Sequence, residues 1–407
     1  MAQFDPYSVA VEIREQISSA KRRIGFLTGA GTSMAVGLPG IIDLTNRVEE
    51  LLVEPAKSHF QFLRTNTGET PNVEYILNRV RLYKEVIGES EGREIDGIKG
   101  EAAIRALDIA ICRAIYDIVK GGQAVEFKPQ QTFAQWLYAL HGNREKPVEI
   151  FTLNYDLLFE KAMESVGVPY FDGFIGSVEP FFMPETIEAE GSQEDQNVYP
   201  PRSWTRLWKL HGSVGWRLRL GNEDTRKRIT RLSDGDLPAG EELMIFPSRD
   251  KYADSRKLPF LTLQDRLRRF LMSGETLLVI LGYSFSDEHI NEILFQGLRA
   301  NPRLSVLTFC YGNLPDSYPE LGRKHRNMTI LGADKACIGG LVGQWVQQRT
   351  PKDGEVWSFW DSDNQKFTLG NFKCFTEYLE TFIGFKNLYR SSEVDAQPLA
   401  GGEQSET

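Results

Sequence analysis

Five short apolar runs constrain the fold of this chain more than any other feature of its sequence. They are Ile24–Thr28, Val148–Leu153, Thr276–Leu281, Leu304–Cys310 and Met328–Leu331. An apolar run of this length suits a strand that is buried on both faces, as in a parallel sheet. Segments with helical periodicity lie between or beside the runs. This alternation predicts an α/β fold built on a parallel sheet.

Two long stretches interrupt the alternation. Residues 46–145 show helical periodicity and predict a large helical insertion. Residues 167–257 are rich in Pro, Gly and aromatic residues, and predict an irregular insertion with a β-hairpin. The hairpin is indicated by Trp216-Arg-Leu-Arg-Leu220, which alternates with period two before a Gly-Asn turn signal. We therefore expect residues 1–45 and 146–350 to form the α/β core of the fold, with the irregular insertion 167–257 lying within the second range.

The chain after residue 350 divides into two parts by composition. Residues 351–390 carry many aromatic side chains, which predicts that they pack on the core or on an assembly surface. Residues 391–407 contain four acidic residues and no Lys or Arg, and are expected to form a disordered tail.

Composition narrows the classes of function. The chain of 407 residues has 41% hydrophobic and 25% charged residues, as soluble globular proteins do. A net charge of -9 argues against a protein whose main role is to grip a phosphate backbone. The four cysteines show no CxxC spacing, which argues against a zinc ribbon and fits a reducing compartment. We find neither a signal-peptide pattern nor an apolar span of ~20 residues, and therefore expect a cytoplasmic protein without membrane contact.

A glycine turn follows the first apolar run. The string Thr28-Gly-Ala-Gly-Thr-Ser33 can turn sharply after a strand and present backbone N–H groups to a phosphate. Thr32 and Ser33 can add hydroxyl donors or cap the helix that follows. The third glycine is Gly37 and no lysine follows, which excludes a nucleoside-triphosphate P-loop and departs from G-x-G-x-x-G. A plain strand-to-helix turn is the alternative interpretation.

Polar residues follow two later strands. Asn154 and Asp156 come after Val148–Leu153, and His211 lies in Trp208-Lys-Leu-His-Gly-Ser213. The carboxyl ends of parallel strands border the ligand crevice of open α/β sheets. An imidazole can accept a proton at neutral pH. The alternatives are an N-cap for Asp156, a turn position for Asn154 and a buried structural role for His211.

A second glycine turn, Leu281-Gly-Tyr-Ser284, ends the most apolar run. Gly282 and Ser284 can contact a ribose or a phosphate there, and another loop is the alternative. His289 follows at the start of a predicted helix but points off its apolar stripe, which favours a surface or capping role.

Together these strings resemble the sirtuin family over about residues 24–335. Sirtuins carry a GAG-x-S turn, Gly-Ile-Pro, an N-x-D strand end, a His-Gly pair and a Gly-x-Ser turn. The corresponding strings occur here in the same order as Gly29-Ala-Gly-Thr-Ser33, Gly37-Leu-Pro39, Asn154-Tyr-Asp156, His211-Gly212 and Gly282-Tyr-Ser284. The resemblance implies a Rossmann-like parallel sheet that binds NAD+.

The resemblance also implies a role for each residue. Asn154 holds the ribose or the attacking water, His211 acts as general base, and Asp156 orients a neighbour or the nicotinamide-ribose end. The pyrophosphate rests on the first glycine turn. The implied NAD+-binding residues are Gly29, Ala30, Gly31, Thr32, Ser33, Pro39, Gly282, Tyr283 and Ser284.

Three departures separate this chain from sirtuin deacylases. It reads Gly40-Ile-Ile-Asp43 where they carry Phe-Arg, it lacks their four-cysteine zinc module, and a helical insertion takes that place. No zinc is therefore expected. The chain resembles instead the sirtuin-like proteins of bacterial antiphage defence, most of all the type encoded beside a HerA-like translocating ATPase. That resemblance implies a large homo-oligomer docked on an ATPase hexamer, with any DNA contact mainly through the partner.

The activity implied is hydrolysis of NAD+ to nicotinamide and ADP-ribose. A protein deacylase would use the same NAD+ site together with an acyl-lysine groove. A sensor would bind NAD+ or ADP-ribose and regulate a partner without cleavage. Nuclease activity has little support, because no clustered carboxylates suggest a two-metal site.

Overall fold

The computed structural model describes residues 2–66, 71–122, 126–188, 200–219, 228–232, 242–245, 259–349 and 357–383. The predicted turn of the hairpin and the predicted tail 391–407 lie outside the described residues. No helix in the described ranges is both long enough and apolar enough to cross a membrane.

The strands are given in chain order. They are β1 (Ala2–Phe4), β2 (Arg23–Thr28), β3 (Glu94–Ile95), β4 (Ile98–Lys99), β5 (Val148–Thr152), β6 (Tyr170–Phe171), β7 (Phe174–Ile175), β8 (Phe181–Phe182), β9 (Thr205–Lys209), β10 (Gly212–Arg219), β11 (Arg228–Arg231), β12 (Glu242–Ile245), β13 (Thr276–Leu281), β14 (Leu304–Phe309), β15 (Met328–Leu331), β16 (Lys335–Ile338), β17 (Leu341–Trp345), β18 (Trp360–Asp361) and β19 (Lys366–Phe367).

The helices are given in the same way. They are α1 (Pro6–Ser18), α2 (Gly31–Met34), α3 (Ile41–Leu51), α4 (Ala56–Thr65), α5 (Val73–Ile87), α6 (Gly100–Gly122), α7 (Lys128–Leu140), α8 (Leu158–Val166), α9 (Glu185–Glu188), α10 (Phe260–Leu271), α11 (Glu288–Ala300), α12 (Tyr318–Lys324) and α13 (Phe372–Glu380).

A ten-stranded sheet forms the centre of the described structure, in the order β1-β17-β16-β15-β14-β13-β2-β5-β9-β6. All neighbours from β15 to β6 run parallel, whereas β16 pairs antiparallel on both sides. Each residue of β5 and β13 is buried, as expected for strands that helices cover on both faces. The predicted α/β fold with a Rossmann-like parallel sheet is confirmed.

One face of the sheet is covered by α1, α7, α8 and α13. Helix α7 lies within the range predicted as the helical insertion, but it packs on this face. Its Phe133 and Trp136 rings contact Phe26 of β2, with centroids 5.0 and 5.6 Å away. Its aromatic side chains therefore belong to the core of the sheet.

The other helices of that range have a core of their own. Helices α3 to α6 pack together through side chains such as Val48, Phe60, Ile76 and Ile111. This bundle begins with α3 at Ile41, a few residues before the predicted boundary. A large helical insertion is therefore present. The last helix of the predicted range, α7, belongs instead to the helices that cover the main sheet.

The range 167–257 is not wholly an insertion. Strands β6 and β9 lie in it and join the edge of the main sheet in parallel pairs. The predicted strand at Trp216 is part of β10, which pairs antiparallel with β11 in a second sheet of order β12-β10-β11-β8-β7. His211 therefore follows a core strand, because all five residues of β9 are buried.

The aromatic segment after residue 350 packs on its own chain within the described range 357–383. Phe375 of α13 contacts Phe309 and Phe26, with ring centroids 5.3 and 6.4 Å apart. Phe372 lies against Phe133 of α7. These rings complete the core on that face.

Candidate active site

Four neighbouring strands end at the same level of the sheet. Their register pairs Leu281 with Thr28, Thr28 with Thr152, and Thr152 with Lys209. The residues that follow β13, β2, β5 and β9 therefore meet at one edge. This is the edge at which open α/β sheets bind ligands.

A cavity of about 710 Å³ lies between this edge and the helical insertion. Its volume falls within the usual range of ligand pockets, roughly 300–1,000 Å³. Ten of the twelve predicted site residues line it, and the other two, Gly31 and Thr32, lie behind the lining. The ten are Gly29, Ala30, Ser33, Pro39, Asn154, Asp156, His211, Gly282, Tyr283 and Ser284.

The two glycine turns pack directly on each other. A Cβ atom on Gly29 would lie 2.6 Å from the carbonyl oxygen of Gly282, and one on Gly31 would lie 2.6 Å from the Gly282 Cα. Gly282 also has a φ of +63°, which glycine adopts at little cost. The glycines are required here because main chain contacts main chain.

This close packing uses most of the amides that the sequence predicted for a phosphate. The N–H groups of Gly29 and Gly31 donate to the carbonyls of Leu281 and Gly282, each at 3.0 Å. Those of Thr32 and Ser33 donate to carbonyls within the turn. In this structure, the N–H groups of these four residues therefore already have backbone acceptors. Among these turn residues, Ala30 keeps an N–H without a hydrogen bond to another described residue, and it lines the cavity.

Asn154 is fixed by its amide nitrogen. Its Nδ2 lies 3.1 Å from the Gly29 carbonyl oxygen, 3.0 Å from Thr32 Oγ1 and 2.8 Å from Ser33 Oγ. A carbonyl oxygen only accepts, so the Asn154 atom that faces Gly29 must be the nitrogen. The side-chain oxygen of Asn154 has no partner among the described residues and is left for a ligand in the cavity.

Asp156 is bound on both carboxylate oxygens. Oδ2 accepts the Ser33 hydroxyl at 2.6 Å, and Oδ1 accepts the Leu158 N–H at 3.0 Å. The buried Lys209 donates to the backbone carbonyl of Asp156 and pairs with Glu160 at 3.0 Å. Asp156 thus orients Ser33, which in turn accepts from Asn154, and also holds the start of α8.

His211 is buried and faces an aspartate that the sequence did not single out. Its Nε2 lies 2.8 Å from Oδ2 of Asp287, the N-cap residue of α11. Burial opposes ionisation of Asp287, yet the hydrogen bonds from His211, Ile290 and His289 together lower the pKa of its carboxyl. The contact depends on the folded sheet, because His211 and Asp287 are 76 residues apart in the chain.

The helical insertion supplies the opposite wall through Asn72, Glu74, Tyr75 and Asn78 of the α5 region. The hydroxyl of Tyr155, between Asn154 and Asp156, donates to Glu74. Burial and the nearby Glu74 carboxylate raise the pKa of Tyr155 well above its usual value. No local pattern in the sequence indicated this wall. The exposed His289 lies at the rim of the cavity, as its predicted surface position suggests.

Replacing Tyr155 with Phe should lower the free energy of unfolding by about 1.5–3 kcal/mol, the usual range for a hydrogen bond to a charged group. Urea titration of the two chains measures the difference. The matched control is Tyr138→Phe, on a half-exposed tyrosine of α7, which should change stability by less than about 0.5 kcal/mol. Equal effects of the two substitutions would contradict the importance of the Tyr155 contact with Glu74.

A metal centre has no visible ligand set in the part of the chain that the structure describes. No group of three or more His, Cys, Asp or Glu side chains is placed there to hold a metal ion. The groups that line the cavity at the edge of the sheet include the carboxamide of Asn154, the imidazole of His211 and the carboxylates of Asp156 and Asp287.

Comparison with known proteins bears on the same region. No curated protein matches the chain. A family model described as the SIR2-like domain matches residues 148–326. The matched range contains Asn154, His211 and the second glycine turn, and the first glycine turn precedes it. The SIR2-like domain is found in NAD-using enzymes, and its match to residues 148–326 supports a sirtuin-like relationship for this chain.

Proposed function

We propose that this chain hydrolyses the bond between nicotinamide and ribose in NAD+, releasing nicotinamide and ADP-ribose. The observation that carries the proposal is the placement of the Asn154 side-chain oxygen and the partly buried His211–Asp287 pair in one cavity. The SIR2-like match over these residues supports a dinucleotide as the ligand.

The donors and acceptors of the cavity suit the parts of NAD+. The N–H of Ala30 is available to a phosphate oxygen at the first glycine turn, and Ser284 lies at the second. The side-chain oxygen of Asn154 can accept from a ribose hydroxyl or from water. This distribution favours the pyrophosphate near the glycine turns and the scissile bond near Asn154 and His211.

The proposed step is attack of water on C1′ of the nicotinamide ribose. The oxygen of water forms a bond to C1′ as the C1′–N bond breaks, and the electron pair of that bond neutralises the pyridinium nitrogen. The proton lost by the water passes to His211, directly or through a ribose hydroxyl, and then to solvent. The products are nicotinamide, ADP-ribose and one proton.

Chromatography of NAD+ incubated with the purified chain tests the proposal. We expect nicotinamide and ADP-ribose in equal amounts without any peptide, either from the chain alone or after addition of its partner ATPase and ATP. Nicotinamide release that requires an acetylated peptide would identify a deacylase. Tight NAD+ binding without nicotinamide under any of these conditions would identify a sensor, and either result would overturn the proposal.

The cellular role that we propose follows from the resemblance. The chain would act as the NAD+-depleting effector of a bacterial antiphage system, as a large homo-oligomer bound to a HerA-like ATPase hexamer. The partner would then make the main DNA contacts, and the activity would be restrained by the partner, by the assembly state or by a closed pocket. Co-purification of the two proteins, followed by light scattering of the complex, tests the assembly.

A further inference from the structure

The contact between His211 and Asp287 joins two segments that are 76 residues apart in the chain. The side chains of His211 and Asp287 are only 7% and 20% exposed, and both line the cavity. Because an ionised carboxylate only accepts hydrogen bonds, the imidazole must donate its Nε2–H to it.

The carboxylate itself is held in place by the main chain. Oδ1 of Asp287 accepts from the N–H groups of His289 and Ile290, at 2.9 and 3.1 Å. The backbone carbonyl of Asp287 accepts the Tyr283 hydroxyl at 3.1 Å, so the second glycine turn holds the same residue. One oxygen of the carboxylate thus caps α11, and the other, Oδ2, fixes the imidazole.

We propose that Asp287 is the positioning residue of the reaction, which keeps the His211 proton on Nε2 and stabilises the ring when it becomes positively charged. This inference rests on the proposed hydrolysis of NAD+. With the proton held on Nε2, Nδ1 is the basic nitrogen of the neutral ring. When the ring takes the proton of the attacking water, the imidazolium lies beside a fixed negative charge in a poorly solvated place.

The substitution Asp287→Asn removes the negative charge of the carboxylate but retains a side chain that can cap α11. Asparagine caps helices as well as aspartate does, so α11 should remain intact. Its amide can donate to Nε2, which favours the other tautomer of the ring and removes the negative charge. We expect kcat to fall by about 10²-fold or more and KM to change only a few-fold.

Nitrogen-15 NMR of a chain with labelled histidines identifies the tautomer of the His211 ring, and it does not require hydrolysis of NAD+. The chain has five histidines, and a His211→Gln sample assigns the signals of His211. We expect Nε2–H in the wild-type chain and a shift toward Nδ1–H in Asp287→Asn. This measurement on the wild-type chain remains decisive even if the substituted chain fails to fold.

Asp5→Asn is the matched control. Asp5 also caps a helix, accepting from the Ser8 N–H at 3.0 Å. It lies between β1 and α1, and β1 is at the opposite end of the sheet order from β9, which precedes His211. We expect it to keep wild-type kcat and the wild-type histidine spectrum.

Two results would overturn the role of Asp287 while leaving the proposed function intact. One is an Nδ1–H tautomer of His211 in the wild-type chain. The other is wild-type kcat in a folded Asp287→Asn chain. A wild-type chain that releases no nicotinamide under any condition would instead overturn the proposed function itself.

Discussion

His211→Ala should slow nicotinamide release from NAD+ by about 10²–10⁴-fold, the usual contribution of a general base. The substitution removes the proton acceptor but leaves the glycine turns, the Asn154 oxygen and the capping bonds of Asp287 in place. Residual hydrolysis is therefore expected. Chromatographic rates at saturating NAD+ measure the effect on kcat, and calorimetric titration measures the affinity for NAD+.

The control for this substitution is His141→Ala. His141 is exposed after α7, bonds to the Ser203 carbonyl and lies outside the lining of the cavity. It should retain the wild-type rate. If a folded His211→Ala chain released nicotinamide as fast as this control, His211 would not be the base.

Glu149→Ala should lower the free energy of unfolding by about 3–5 kcal/mol, as expected when one partner of a buried ion pair is removed. Glu149 of β5 accepts two hydrogen bonds of 2.8 Å from Arg266 of α10 and one of 2.9 Å from the indole of Trp208 on β9. Without Glu149, a charged and largely buried guanidinium loses its carboxylate. Urea unfolding of both chains measures the loss.

Two further variants test the physical cause of that loss. Converting both Glu149 and Arg266 to Met should recover part of the stability, because no isolated charge is then buried. The matched control is Asp43→Ala, which breaks an exposed pair with Arg47 and should cost less than about 1 kcal/mol. A loss in Glu149→Ala no greater than in this control would show that the buried pair contributes little.

The strands of the core could be predicted closely from local pattern. Thr276–Leu281 and Met328–Leu331 form strands with the predicted bounds, and the other three apolar runs differ by one residue at one end. Because these strands are buried on both faces, their residues form continuous apolar runs, which can be recognised in the sequence. The positions of Asn154, His211 and Gly282 at one edge then follow from parallel topology.

Other parts of the fold and site depend on contacts that no local pattern reports. The strand before His211 contains Trp208 and Lys209, whose polar groups are buried only because residues distant in the chain bind them. Tyr155 and Glu74 are 81 residues apart, and their contact forms only once the insertion folds over the edge of the sheet. The α5 wall and Asp287 were missed for this reason.

The interlocked glycine turns have a consequence for how this site can be altered. The floor of the cavity is made of main chain, where Gly29 and Gly31 touch Gly282 with no room for a side chain. Exchanging one amino acid for another cannot reshape a floor of this kind. Redesign of ligand preference must therefore work on the α5 wall and on the rim around Ser286 and His289, where side chains face the cavity.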